Sequence, residues 1–117
     1  MANRNKYGET FTAELIEKVW EKAQIVPGFD ARYLRKDKCG AMIGRVFFGK
    51  SDAAFSLGWE IDHIKPLTRG GTDELVNLQP LHWENNRNKS DSYPSWDCRV
   101  SVKGQGNKYV NVFSEEV

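Results

Sequence analysis

Cysteine is nearly missing from this chain: the 117 residues hold two, Cys39 and Cys98, and no CxxC pair. Two such residues cannot build a metal knuckle by themselves. In a reducing compartment two free thiols are the default, and a disulfide is the alternative that the sequence leaves open. Long apolar runs are missing too. Nothing approaches the ~20 residues of a membrane span, and the polar start has no signal-peptide core, so a cytoplasmic chain with no membrane partner is expected. An excess of one charge is also lacking: 17 Lys+Arg stand against 16 Asp+Glu, so overall basicity announces no nucleic-acid partner.

The charge is unevenly spread. Residues 1–50 hold 10 Lys+Arg and 6 Asp+Glu, whereas 51–117 hold 7 and 10. A basic front half could track phosphates while a more acidic back half holds a cation; scattered solvated charge accounts for the same numbers. The length and the 39% hydrophobic content fit a single domain, 1–117, with a modest core.

Residues 1–9 are polar and are expected to fray. From Thr12, a plausible N-cap, Leu15, Ile16, Val19, Trp20 and Ala23 share one face of an amphipathic helix placed over 10–26, ahead of the breaker Pro27-Gly28. Asp30 can cap a short helical turn that gathers Arg32, Arg35, Lys36 and Lys38, a phosphate-facing candidate or a plain solvated turn. Strands are expected over 41–48 and 57–64. A hairpin over 96–114, with strands 98–102 and 108–113 around a turn at 104–107, closes the chain. Between them, Leu81 to Lys89 reads as a short helix with His82, Asn86 and Lys89 on one face.

One stretch carries chemistry. Asp62 and His63 end the strand 57–64, Pro66 follows, Gly70-Gly71-Thr72 makes a loop, and then come Asn77-Leu78, Leu81 and Asn86-Arg87-Asn88-Lys89. A regular strand would send Asp62 and His63 to opposite faces; both can serve one site only if the strand ends there. This stretch, roughly 57–91, resembles the HNH endonucleases, the ββα-metal or His-Me finger group. The resemblance implies an α+β fold: a ββα-metal core with an N-terminal amphipathic helix and a C-terminal β-hairpin. It implies that His63 is the general base, with Asp62 and Asn86 as ligands of one divalent cation, Mg²⁺ or Mn²⁺ or another. Asn77 would orient the loop and the base, and Arg87, Lys89 and Arg69 would meet the phosphates.

Many relatives in that family carry two CxxC pairs around a structural zinc. Here those places read Cys39-Gly40-Ala41-Met42 and His82-Trp83-Glu84-Asn85, so no structural zinc is expected, and packing by Trp59, Trp83 and Trp96 would replace it; a zinc completed by Cys98 is the alternative. The implied activity is hydrolysis of DNA phosphodiester bonds, by nicking or by double-strand cleavage, in a bacterial or phage-encoded protein. RNA remains a second substrate class, and a homodimer is one route to cutting both strands. Two rivals stand beside it: a catalytically silent nucleic-acid-binding module, and the nuclease domain of an antibacterial toxin.

Overall fold

The computed structural model describes residues 3–52, 56–102 and, by backbone alone, 107–109. It is an α+β fold of two short helices and small antiparallel sheets. Thr12 accepts a hydrogen bond from the Leu15 amide and starts helix α1, Ala13–Trp20. The helix stops well short of residue 26. Ala23 is buried, and Gln24–Ile25 form strand β1, which pairs with Lys36 and Arg35 of β2, Leu34–Lys36. Strand pairing has overridden a helix propensity that is only a weak prior.

Strand β2 also replaces the expected helical turn. Asp30 still organises its start, accepting from the Arg32 amide and from the Arg32 guanidinium, which holds the Asp30 carboxyl down at about 2. Arg35 is spent on the main-chain carbonyls of Ala31, Glu21 and Ala23. The four cations therefore do not form a free cluster. Strand β3, Met42–Gly44, completes this sheet in the order β1-β2-β3. The expected strand 41–48 is shortened because Arg45–Phe47 turn into a 3-10 helix.

The second sheet is the pair β4, Trp59–His63, and β5, Leu78–His82, in register from Trp59↔His82 to His63↔Leu78. Helix α2, Trp83–Lys89, follows directly. Trp59 and Ile61 face the core with Phe11, Val19, Trp20, Ile43 and Leu78. The Trp59 ring packs on Trp20 at 5.4 Å and on Phe48 at 4.9 Å. Trp83 and Trp96 lie outside that cluster: Trp83 stacks on His82, and Lys38 covers the Trp96 ring. Glu60 and Asp62 point to the other face of β4, yet they are buried as well, because α2 lies over them.

From Asn3 onward, the described part of the N-terminal segment is docked rather than frayed. Asn3 caps the outer edge of β4 by accepting from the Ile61 amide at 2.7 Å, and the Lys6 amide donates to Asp73 at 3.0 Å. Cys39 and Cys98 are joined as a disulfide, not left as two thiols. Beside the bond, the buried Asp37 ties two segments together. Its Oδ1 accepts from the Cys39 and Ala41 amides, and its Oδ2 accepts from the His82 amide and the Asn85 side chain. Asn85 in turn accepts from the Arg99 and Val100 amides. A carboxylate and an amide thus fasten the turn at 37–41 to the start of α2. The closing strands are β6, Val100–Val102, and β7, Asn107–Tyr109, antiparallel. The turn residues 103–106 and the hairpin beyond Tyr109 lie outside the described residues.

Candidate active site

Strand β4 ends at His63, where the chain bends through Pro66 into a 3-10 turn, Leu67–Arg69. The bend places Asp62 and His63 on one cleft of about 440 Å³, lined also by Thr68, Asn86, Arg87 and Asp91. Two glycines make the turn. Gly70 adopts φ +90°, and a Cβ on Gly71 would sit 1.7 Å from the Lys65 carbonyl oxygen; neither position accepts a side chain without strain.

His63 is held through one of its two ring nitrogens. Its Nε2 lies 2.8 Å from Asp73 Oδ1, and Phe11 packs near the ring at 6.1 Å. A carboxylate only accepts, so Nε2 carries the hydrogen and Nδ1 keeps a lone pair. No protein hydrogen bond reaches Nδ1 among the described residues. Burial alone would raise the Asp73 carboxyl, but the Lys6 amide and His63 outweigh it and hold Asp73 below the usual carboxylate range. Sequence reasoning missed Asp73. Its position just after Gly70-Gly71-Thr72 was the available signal.

Asp62 is 6% exposed. Its Oδ1 lies 3.2 Å from Lys89 Nζ, and its Oδ2 accepts from Gln79 at 2.9 Å. Burial pushes its carboxyl up, against the pull of Gln79, Lys89 and His63. Lys89 also donates to the His63 carbonyl at 3.1 Å and is only 1% exposed, so its ammonium sits under the site rather than on the surface.

Two residues earlier on the same strand face, Glu60 is 2% exposed. It accepts from Asn86 Nδ2 at 2.8 Å and from Arg87 Nη2 at 2.9 Å. The Arg87 side chain remains half exposed, lies over the Trp83 ring and borders the cleft. Arg69 is exposed and bonds through Nε to the Asp91 carbonyl, while its terminal amino groups have no hydrogen bond among the described residues. Alternation alone already puts Glu60 beside Asp62, a signal that was there to use.

Asn77 closes the loop from inside. Its side-chain oxygen accepts from the Lys65 amide at 2.8 Å, and its amide nitrogen donates to the carbonyls of Lys65 and Thr72. The main chains join there too, with the Ile64 amide donating to the Asn77 carbonyl. His82 does not face the cleft. It ends β5 and caps α2 by accepting from the Glu84 amide, while its other ring nitrogen meets the Ser56 carbonyl.

Among the residues that line the cleft, Asp62, Asn86 and Asp91 carry hard oxygens, two carboxylates and an amide. Among the described residues no group of three His, Cys, Asp or Glu side chains converges as a ligand set. A few oxygen donors on an open cleft suit a cation that keeps several waters and takes further oxygens from a phosphate, as Mg²⁺ does. No helix of the described residues is long and apolar enough to cross a membrane.

A family model described as HNH endonuclease matches residues 49–92. No curated protein and no solved structure matches the chain.

Proposed function

We propose, from the match of residues 49–92 to the HNH endonuclease family model, that the chain is a divalent-metal-dependent nuclease that hydrolyses phosphodiester bonds in DNA. The β4-β5 pair and α2 are read as its ββα-metal core. The observation that carries the reading is the cleft lined together by Asp62, His63 and Asn86, with His63 Nε2 fixed on Asp73 and no protein hydrogen bond to Nδ1 among the described residues.

His63 Nδ1 takes a proton from the water that attacks phosphorus, and Asp73 steadies the imidazolium that results. The P–O3′ bond breaks as the new P–O bond forms, and the leaving 3′ oxygen takes its proton from solvent. The products carry a 5′-phosphate and a 3′-hydroxyl. Asp62 and Asn86 would hold the Mg²⁺ or Mn²⁺, which supplies charge neutralisation at the phosphoryl oxygens and the 3′ oxygen. Asn77 keeps the 64–72 loop closed, so that His63 and the cleft floor hold their spacing. Arg87 and Arg69 offer charge to the backbone phosphates, a role that positions substrate without reading sequence. Lys89 serves from beneath, keeping the buried Asp62 compensated.

Each site cuts one strand, so a double-strand break takes a dimer or two successive nicks. The test is relaxation of supercoiled plasmid across metals. Wild type is expected to nick with Mg²⁺ or Mn²⁺ and to stop on chelation, and Asn86→Ala is expected to need a higher metal concentration for the same rate. A wild type that nicks neither plasmid nor single-stranded DNA with any divalent cation would contradict the reading and leave a binding module.

A further inference from the structure

We propose that Glu60 is a positioning residue that decides which end of the Asn86 amide faces the cleft, and thereby sets the affinity of the site for a divalent cation. The proposal rests on the reading of Asp62 and Asn86 as ligands given above.

An Asn side chain has two ends of nearly equal shape and opposite chemistry: the oxygen can ligate a cation and the NH₂ cannot. Left beside water, both orientations are accessible. Glu60 removes that freedom. It is buried at 2% exposure, and a carboxylate offers acceptors only. Its Oε1 is 2.8 Å from the Asn86 amide nitrogen. Turning the amide over would set oxygen against oxygen away from water, where an unmet polar contact is expensive. The NH₂ end is therefore committed to Glu60, and Oδ1 remains for the cleft that Asn86 lines with Asp62.

Arg87 completes the device. It binds Oε2 at 2.9 Å, fixing the carboxylate so that Oε1 is aimed at Asn86. The Arg87 side chain is 54% exposed, so the pair adds little to stability as an ion pair. Its consequence is orientation. One carboxylate thus sets both Asn86 and the Arg87 guanidinium on the same turn of α2.

The test is a Mn²⁺ titration followed by electron paramagnetic resonance on the full chain, with circular dichroism as the check on folding. Four proteins are compared with wild type: Glu60→Gln, Asn86→Ala, Asn86→Asp, and the swap Glu60→Gln with Asn86→Asp. In Glu60→Gln the new amide has one oxygen for two donors. With Arg87 taking it, Asn86 turns over, and Mn²⁺ binding is expected to weaken fivefold or more, toward that of Asn86→Ala. In the swap the glutamine donates to the new carboxylate and still accepts from Arg87, so binding returns to the wild-type level or better. Asn86→Asp alone sets two carboxylates against each other and is expected to bind more weakly than the swap.

A Glu60→Gln protein that binds Mn²⁺ within fivefold of wild type overturns the proposal. So does an Asn86→Asp protein that matches the swap, since charge at that position would then be enough; this comparison stands even where Glu60→Gln alone does not fold. A wild type that neither binds Mn²⁺ nor nicks DNA fails the nuclease reading itself. A wild type that does both, beside an unaltered Glu60→Gln, fails only the role of Glu60.

Discussion

Single residues divide here by what stands behind them. His63 lines the cleft, and Asp73 takes the hydrogen on its Nε2, which in the neutral ring leaves the lone pair on Nδ1. An asparagine at that position can present its NH₂ to Nε2 and stabilise the wrong tautomer. Asp73→Asn is therefore expected to lower the single-turnover cleavage rate about 10–100-fold, the usual scale for loss of an orienting partner, with DNA affinity unchanged. An unchanged rate would remove Asp73 from the account. Asp73 itself is placed by the Lys6 amide, so the polar N-terminal segment, read from composition as a fraying end, in fact supports Asp73 and through it His63. Composition records how polar a segment is, but not which buried edge its few side chains reach.

At the level of elements, the strand β4 and the helix α2 are joined by two rungs, Glu60 with Asn86 and Arg87, and Asp62 with Lys89. The lower rung is buried on both sides. Lys89→Met would strand the Asp62 carboxylate, and a loss of about 3 kcal/mol in unfolding free energy is expected. Arg69→Ala, at the exposed rim, is expected to stay within about 0.5 kcal/mol. Chemical denaturation of both variants checks the contrast; equal losses would mean that Lys89 is not the anchor described.

This ladder also marks the boundary of what was legible. Thr12 and the core face of α1 followed from local spacing, while Asp62, His63 and Asn86, which line one cleft, were singled out by the stretch that carries the family resemblance. The end of α1 did not, because Gln24 and Ile25 are claimed by β2 across a turn. The roles of Glu60, Asp73 and Lys89 depend on where side chains end after packing, which residue type and spacing do not encode. His82 shows the same limit, since it closes a strand and caps a helix rather than joining the face of Asn86.

For the whole molecule, the back of α2 is secured by the Asp37 and Asn85 hydrogen bonds and by the Cys39–Cys98 disulfide, whose members are 59 residues apart. Closing a loop of that length constrains the unfolded chain by about 4 kcal/mol in the chain-entropy treatment. Reduction, or the paired change Cys39→Ser with Cys98→Ser, is expected to move the urea midpoint to lower concentration; an unmoved midpoint would show the bond to be stability-neutral. All of these supports converge on one cleft, and the central claim is that His63 does base chemistry there. Single-turnover cleavage of a labelled DNA, with enzyme in excess and Mn²⁺ saturating, tests it most directly. The account predicts that His63→Ala binds the DNA as wild type does and cuts it about 100-fold more slowly or worse. A His63→Ala protein that cuts at the wild-type rate would contradict it.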